Sequence, residues 1–314
     1  MSRAVKAIVR IGDRDGRGGN NVHHSRDHRI DIGRHEDPAL MIRSSPNHCR
    51  GRVGPMVKND QQALGETFAR LHDGPGALVM PNPWDAGSAR LLEQLGFRAL
   101  ATTSGGLALS QGVSDGQGCL RRVQVLESLA SIVAATSLPV TADLESGYGD
   151  SPESVAEMVR LAAAVGAVGC SIEDTTGRPD DPIRPLPEAL ERAEAAVAAA
   201  RELPFLFTLT LRADNFFAGR PDLDDTITRL KAFEKIGADV VYAPGLTDFP
   251  AIRKVVDAVS VPVNVLAIPG FSVDALAAGG VRRVSIGSRL ARVAYARALA
   301  AARELLEQGT VEFA

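Results

Sequence analysis

Two carboxylates stand two positions apart in the stretch "TADLESGYGD", residues 141–150, where an apolar run ends. Asp143 and Glu145 are followed at once by Gly-Tyr-Gly, which indicates a sharp turn. Strand side chains alternate between faces, so residues at this spacing point the same way. Two acids on one face suit either acid–base chemistry or the binding of a cation.

Three further charged residues, Glu173, Arg212 and Asp115, lie at or soon after other apolar runs. Carboxylates that share a cavity repel one another, so some take up protons or a cation lies among them. Oxygen ligands favour a hard ion, Mg²⁺ or Mn²⁺. From residue 57 onward the sequence holds one histidine, His72, which argues against a histidine-based zinc site and a Ser-His-Asp triad.

The same positions include groups that suit a small anion. A guanidinium such as that of Arg212 can bind a carboxylate through two hydrogen bonds. Ser104, Gly105 and Gly106 follow another apolar run, and their backbone N–H groups are free of bulky side chains. Together these groups indicate a site for an anion of the 2-oxo acid type. The alternative is structural, with the acids capping helices and Arg212 in a salt bridge to one of them.

These residues belong to a regular alternation of apolar, β-branched runs and amphipathic helical patterns. The eight runs lie at residues 77–81, 98–103, 138–143, 168–173, 205–212, 239–244, 262–267 and 282–287. The alternation predicts βα units around a parallel sheet, and eight units predict a (β/α)8 TIM barrel. A doubly wound sheet usually has fewer strands, and no G-x-G-x-x-G follows the first run. Active sites of such barrels lie at the carboxyl ends of the strands.

Composition limits the class of protein. The 314 residues are 45% hydrophobic with a net charge of −3, which suits a globular protein of one large or two ordinary domains. No apolar run approaches the ~20 residues of a membrane span, and the N-terminus has no apolar signal core. The three cysteines, Cys49, Cys119 and Cys170, form no paired motif. We therefore predict a cytoplasmic protein without a membrane partner.

The first 56 residues differ from the remainder. They hold ten arginines and one lysine against six acidic residues, and five of the six histidines. Such a segment can bind nucleic acid or metal, but its small apolar content favours a disordered extension without a nucleic-acid partner. Met56 directly precedes the first helical pattern, and we expect it to be the natural start. The predicted domains are thus a basic extension at 1–56 and a barrel at 57–314.

The motifs together resemble the isocitrate lyase/phosphoenolpyruvate mutase family over nearly all of residues 77–300. The segments "PNPWDAGSARLLEQLGF", "TTSGGLALSQGVSDG", "ADLESGYGD", "SIED" and "LRADNF" occur in the family's order. "DLESGYG" corresponds to the family pattern D-x-D-x-G-Y-G, with Glu145 in place of the second aspartate. The resemblance implies a TIM barrel whose long last helix is exchanged between subunits of a homodimer or homotetramer.

The resemblance also implies roles for individual residues. Asp143 would bind Mg²⁺ directly, while Glu145, Glu173 and Asp115 would hold its water ligands, with Mn²⁺ as a possible substitute. The expected contacts to a small carboxylate substrate are Trp84, Ser104, Gly105, Gly106, Arg212 and Asn264. The expected catalytic residues are Arg212, Tyr148, Glu173 and Asp115, with Tyr148 or a metal-bound water transferring protons.

The sequence departs from the family at the loop after the fourth strand. The lyase branch has a Lys-Cys-Gly-His-like motif there, whereas residues 175–186 read "TTGRPDDPIRPL". The gating segment of the mutase branch, of the Lys-Thr-Asn-Ser type, is also missing. The leading hypothesis is therefore a Mg²⁺-dependent lyase that cleaves a C–C bond or decarboxylates a small 2-oxo or 2-hydroxy acid through an enolate. The alternatives are a phosphonopyruvate mutase or hydrolase acting on a C–P bond, and a non-catalytic barrel that binds metal and anions.

Overall fold

The protein is described by a computed structural model that covers residues 58–312; the extension predicted at 1–56 lies outside the described residues. Its strands are β1 Leu78–Met80, β2 Leu100–Ala101, β3 Val140–Asp143, β4 Gly169–Glu173, β5 Thr208–Arg212, β6 Val240–Tyr242, β7 Val263–Leu266 and β8 Arg283–Ser285. Its helices are α1 Lys58–Arg70, α2 Ala86–Gln94, α3 Ser104–Gln111, α4 Arg122–Val133, α5 Pro152–Ala164, α6 Leu186–Arg201, α7 Leu223–Lys235, α8 Phe249–Ala258, α9 Val273–Ala278 and α10 Arg289–Gln308.

The eight strands form one parallel sheet that curves into a barrel. The strand order is β1-β8-β7-β6-β5-β4-β3-β2, so consecutive strands from β2 to β8 pair with one another and β1 pairs with β8. Between β1 and β2 a backbone hydrogen bond from Ala101 N–H to the Pro81 carbonyl (3.2 Å) closes the remaining gap. The predicted (β/α)8 barrel is confirmed, and each of the eight predicted runs contains one strand.

Local sequence signals set the ends of the helices. The glycines after α2, α5, α7 and α9 have positive φ angles: Gly96, Gly166, Gly237 and Gly280 at 88°, 108°, 107° and 89°. Glycine adopts this left-handed conformation without the steric cost of a side chain. At the other end of α5, Ser151 accepts a hydrogen bond from Ser154 N–H, and Pro152 opens the helix. The glycines therefore end these four helices a few residues before the next strand begins.

The amino-terminal end of the barrel is closed by apolar side chains. Helix α1 and the 3₁₀ turn Leu71–Asp73 cover it, and Phe68 of α1 is fully buried. Gly169 at the start of β4 makes room for this helix, since a Cβ there would lie 2.6 Å from the Thr208 carbonyl oxygen and 3.2 Å from the Phe68 ring. Because the amino-terminal end of the barrel is closed, the barrel opens at the carboxyl ends of its strands.

The last helix, α10, has 20 residues, as the sequence predicts. Tyr295, Leu299 and Leu306 recur at helical spacing and are 42%, 61% and 86% exposed, so they form an apolar stripe on its outer face. Exchange of this helix between subunits stays a prediction. Among the described residues, no helix is long and apolar enough to cross a lipid bilayer.

Candidate active site

The predicted site residues converge at the carboxyl ends of the strands. A cavity of about 400 Å³ lies there, and the residues of the sequence-predicted site that line it are Ser104, Gly105, Asp115, Asp143, Arg212 and Asn264. A neighbouring cavity of about 270 Å³ shares Ser104, Asp115 and Arg212 with the first and adds Glu145 and Glu173. All four predicted carboxylates therefore border one connected region.

Asp143, the last residue of β3, is held by groups at the ends of two other strands. Its Oδ2 accepts a hydrogen bond from Ser104 N–H at 3.0 Å, and its backbone N–H donates to Thr102 Oγ1 at 2.9 Å. Its Oδ1 lies 3.3 Å from Arg212 Nη1. These contacts come from the ends of β2 and β5, so the barrel itself fixes the direction of this carboxylate.

Arg212 is paired with three acids. Its Nε and Nη2 donate to the two carboxylate oxygens of Asp214 at 3.0 and 2.6 Å, and Nη2 lies 3.0 Å from Glu173 Oε2. With Asp143 on the remaining nitrogen, the guanidinium is surrounded by negative charge, which raises its pKa. The structure therefore contains the salt bridges that the structural alternative predicted for Arg212. Its role as a substrate contact stays a prediction.

Glu145 and Tyr148 occupy the turn after β3 in an unusual backbone conformation. Both have positive φ angles, 46° and 54°, in the left-handed region that side chains other than glycine rarely adopt. The Tyr148 hydroxyl donates to Glu145 Oε1 at 2.6 Å, a contact that links the two strained residues. Burial raises the pKa of Glu145 to about 7 and also raises the pKa of Tyr148. Such strain is typical of functional turns.

The positive charge of Arg212 does not fully compensate the negative charges of the surrounding carboxylates. Burial, and then repulsion from Asp143, raises the pKa of Asp115. Burial also raises the pKa of Glu173; Arg212 opposes that rise, and the carboxylates of Asp214 and Asp143 add to it. A cation in their midst would offset both effects.

The donor set fits Mg²⁺ with retained water. Among residues 58–312, no three His, Cys, Asp or Glu side chains lie close enough to bind an ion together. Mg²⁺ is usually held by one or two carboxylates and keeps several waters. One direct ligand, Asp143, with Asp115, Glu145 and Glu173 reached through water, agrees with this spacing. A direct four-carboxylate cage does not.

The segment Ser104–Gly106 differs from the open loop that the sequence suggests. It forms the first turn of α3, Thr103 caps the helix by accepting from Gly106 N–H at 3.3 Å, and both glycines are buried. A Cβ on Gly105 would lie 2.8 Å from Asp115 Oδ2, and one on Gly106 would lie 2.6 Å from Thr103 Cγ2. The glycines thus let the helix start approach the acids, and the Ser104 N–H already has Asp143 as its acceptor.

Two predicted substrate contacts are placed differently from the prediction: Trp84 lies away from the main cavity, and the Asn264 amide is already hydrogen-bonded. Trp84 borders a separate crevice of about 10 Å³, which Tyr148 also borders. Asn264 does line the main cavity, but its amide donates to Ser285 Oγ and accepts from Arg283 Nε, each at 3.0 Å. Trp84 packs against the first turn of α3, since a Cβ added to Gly106 would lie 2.9 Å from the Trp84 Cβ.

Sequence reasoning missed the arginines that line the main cavity. Arg283 of β8 and Arg289 and Arg292 of α10 line the same cavity. Arg283 stands at the start of its strand, whereas the sequence search considered strand ends. The available signal was a charged residue at an inward position of a buried strand in "RRVSIG", residues 282–287.

A cavity bordered by acids and arginines at the carboxyl ends of the strands of a parallel barrel lies where enzymes of this fold class have their active sites. The family model for phosphoenolpyruvate phosphomutase matches residues 68–306 of this chain. The chain thus belongs to the isocitrate lyase/phosphoenolpyruvate mutase family, whose members are lyases, decarboxylases, mutases and hydrolases.

Individual relatives span much of the chain. An oxaloacetate decarboxylase of Paraburkholderia xenovorans is 30% identical over 265 residues, 79% of this chain and 85% of that protein. A 2-methylisocitrate lyase of Escherichia coli is 30% identical over 224 residues, 68% of this chain and 74% of that protein. A crystal structure from Burkholderia cenocepacia, provisionally described as a lyase/mutase, is 54% identical with a TM-score of 0.78 and covers 81% of this chain and 92% of its own.

Proposed function

We propose that this protein is a Mg²⁺-dependent lyase that acts on a small 2-oxo or 2-hydroxy carboxylic acid through an enolate. The bond broken is a C–C bond, in cleavage or in decarboxylation. The observation that carries the proposal is the group of four carboxylates, Asp115, Asp143, Glu145 and Glu173, that border one connected cavity region beside Arg212. The identity to a decarboxylase and a C–C lyase of the family supports it.

Asp143 would hold the ion directly, and Asp115, Glu145 and Glu173 would hold its water ligands. When bound, Mg²⁺ supplies positive charge at a keto oxygen, which stabilises an enolate. Arg212 keeps Asp143 and Glu173 in place through contacts of 3.3 and 3.0 Å. The first turn of α3 donates the Ser104 N–H to Asp143, and the positive end of the helix dipole lies beside that carboxylate.

Proton transfer falls to the turn after β3, since residues 175–186 contain no Cys, His or Lys. Tyr148 and Glu145 share a hydrogen bond of 2.6 Å beside the acids. A tyrosine hydroxyl bonded to a carboxylate can pass a proton to and from a nearby water. Decarboxylation needs no proton donor in residues 175–186 for the bond-breaking step, which is why it suits this loop.

The test is enolisation of pyruvate, followed by a substrate search. We expect the protein with Mg²⁺ to exchange the methyl protons of pyruvate in D₂O, measured by NMR. Asp143→Asn should reduce this exchange to the rate of Mg²⁺ alone, while Asp224→Asn, an exposed acid on α7, should leave it unchanged. Oxaloacetate and 2-alkylmalates are then supplied, and pyruvate or glyoxylate is followed.

Exchange no faster than that with Asp143→Asn, together with no turnover of these acids, would contradict the proposal. A protein that binds pyruvate with Mg²⁺ but leaves its methyl protons unexchanged would instead be a binding barrel. We propose that the enzyme acts in the cytoplasm, as the sequence predicts.

A second candidate is chemistry at a C–P bond, on phosphonopyruvate. Arg283, Arg289 and Arg292 supply the cationic groups that a phosphonate requires and that the sequence search did not find. Release of inorganic phosphate, or formation of phosphoenolpyruvate, from phosphonopyruvate would favour this branch over the C–C lyase.

A further inference from the structure

Arg192 of α6 is a buried arginine that donates its hydrogen bonds to the main chain of one turn. Its side chain is 2% exposed, and its Nη1 donates to the Asp150 carbonyl oxygen. Its Nη2 donates to the carbonyl oxygens of Ser146 and Gly149, the latter at 2.8 Å. All three acceptors belong to the turn between β3 and α5, residues 144–151.

The chemistry of the guanidinium suits this task. It is a planar group with five N–H donors in fixed directions, so it holds several acceptors in one geometry. Burial, with the charge of Arg184 adding to it, lowers the pKa of Arg192 to about 10, which leaves the group charged at neutral pH. A charged donor makes shorter and stronger hydrogen bonds than a neutral one. Three carbonyls of a short turn are therefore fixed relative to α6.

The fixed carbonyls lie on both sides of Tyr148. Ser146 precedes the tyrosine by two residues, and Gly149 follows it directly. Tyr148 and Glu145 have φ angles of 54° and 46°, a conformation that persists in residues other than glycine only where the surrounding structure holds it. The hydrogen bonds from Arg192 provide that support.

A second buried arginine, Arg184, connects the same turn to the end of β4. Its Nη2 donates to Asp150 Oδ1 at 3.3 Å, and its Nε donates to the Thr175 carbonyl oxygen at 3.0 Å. The Thr175 hydroxyl donates to Glu173 Oε1 at 2.7 Å. The turn is therefore held both from α6 and from the loop after β4, which keeps it beside the acids of the site.

The carboxylate expected to bind the metal directly is held by other groups. Asp143 accepts a hydrogen bond from Ser104 N–H and lies 3.3 Å from Arg212, and both groups lie outside the turn. A change at Arg192 should therefore move Tyr148 while Asp143 stays in place.

We infer that Arg192 is a positioning residue, which holds the Tyr148 hydroxyl against Glu145 through the carbonyls of residues 146, 149 and 150. The distance it maintains is 2.6 Å between the hydroxyl and Oε1. Arg192 lines none of the three cavities described above, so it acts on the tyrosine through the main chain. The inference rests on the proposed function, because proton transfer by this pair is what the position serves.

Fluorine NMR of protein labelled with 3-fluorotyrosine tests the position without a ligand. The chain has three tyrosines, and Tyr→Phe variants assign the resonances of Tyr148, Tyr242 and Tyr295. In Arg192→Lys and in Arg192→Gln we expect the Tyr148 resonance to shift or broaden and the other two to stay unchanged. Lysine keeps the charge without the planar fork, whereas glutamine leaves no buried charge and can fold where lysine does not.

Proton exchange measures the consequence for the reaction. With Mg²⁺ and saturating pyruvate, Arg192→Lys should slow methyl-proton exchange at least about tenfold. The pyruvate concentration that gives half of the maximal rate should change by less than about twofold. Tyr148→Phe should slow exchange by about 100-fold, and Arg192→Lys added to it should slow exchange no further, because the arginine acts through the tyrosine.

The matched control is Arg201→Lys, at the other end of α6. Arg201 also donates to main-chain carbonyls, of Gly237 at 2.8 Å and Phe207 at 3.4 Å, but at the amino-terminal end of the barrel. Its variant should lower the melting temperature and leave the exchange rate and the Tyr148 resonance unchanged. An Arg192 with a purely structural role would give the same result as this control.

An unchanged Tyr148 resonance in the Arg192 variants would overturn the inference. So would an effect of Arg192→Lys on exchange that is as large in Tyr148→Phe as in the wild type. Exchange by Tyr148→Phe at the wild-type rate would overturn the proton-transfer role of the tyrosine and the inference with it. A wild type that exchanges no pyruvate protons with Mg²⁺ would overturn the proposed function, and the fluorine spectra would then decide whether Arg192 positions the tyrosine.

Discussion

Single residues of the site owe their roles to neighbours far away in sequence. Arg212 is bound to Asp143, Glu173 and Asp214, so its charge is balanced before any substrate enters. Arg283 has the same chemical group and no balancing acid within 4 Å among the described residues. The two arginines therefore differ in how their charge is compensated, because their surroundings differ.

Gly105 gives a prediction at this scale. In Gly105→Ala the added methyl would lie 2.8 Å from Asp115 Oδ2 and 3.2 Å from Ser288 Cβ, so Asp115 must move. A displaced group in a catalytic site can cost about 100-fold in rate, and we expect Mg²⁺-dependent exchange of pyruvate protons to fall by about that factor.

The control is Gly76→Ala, whose added methyl would meet no atom within 4 Å. It should keep both the exchange rate and the melting temperature. If Gly105→Ala exchanges protons as fast as the control, the close approach of α3 to Asp115 has no part in the chemistry.

At the scale of a structural element, the 3₁₀ turn Leu71–Asp73 closes the amino-terminal end of the barrel and determines the charge of a histidine. His72 lies in this turn, 6% exposed, with Nδ1 2.9 Å from the Phe68 carbonyl oxygen and Nε2 without a partner. Burial, with the charge of Arg283 adding to it, lowers the pKa of His72 to about 4 from its ordinary value of 6.5. The folded protein therefore holds this ring neutral.

The pH dependence of stability follows from that shift. Because the folded pKa is lower than the unfolded one, the contribution of His72 is complete above pH 6.5 and is lost as the pH falls toward 4. The loss amounts to about 3 kcal/mol in the free energy of unfolding. Urea unfolding of the wild type and His72→Gln at pH 7, 6, 5 and 4.5 measures it.

The wild type must be compared with His72→Gln because buried acids change the free energy of unfolding with pH in the opposite direction. Asp174 and Glu145, with pKa values raised to about 7, favour the folded state as the pH falls. We expect the stability difference between wild type and His72→Gln to change by about 2 kcal/mol between pH 7 and pH 4.5. A constant difference would mean that His72 has an ordinary pKa in the folded protein.

At the scale of the whole molecule, α10 leaves apolar surface without a partner in the described chain. Tyr295, Leu299 and Leu306 form a stripe on its outer face, and Leu306 is 86% exposed. Exposed stripes of this kind mark association surfaces. We predict a homodimer or homotetramer held through this helix, as the family resemblance implies.

Sedimentation velocity checks this prediction. The wild type should sediment as an oligomer, and Leu299→Glu/Leu306→Glu should shift it toward the 33.1 kDa monomer. Arg297→Glu changes charge on the opposite side of α10 and should keep the oligomer. A monomeric wild type at micromolar concentration would show that the stripe is not a subunit interface.

The sequence by itself determined the barrel and the chemistry of one wall. Strand length, helix period and glycine caps are local properties, so all eight strands and the ends of several helices could be predicted from them. The acids at strand ends could be found because a parallel barrel brings those ends together. Asp143 and Glu173 follow from that rule, whereas Asp115 lies in the loop after α3.

The tertiary structure decided which charges are balanced and how deep each lies. The pairing of Tyr242 with Asn264, and of Asn264 with Arg283, sets the stagger of adjacent strands and brings a residue from the start of β8 into the cavity. Stagger depends on closure of the whole sheet, which no local pattern encodes. For the same reason the close packing of Gly105 on Asp115, and the missing counter-ion of Arg283, became visible only in the folded chain.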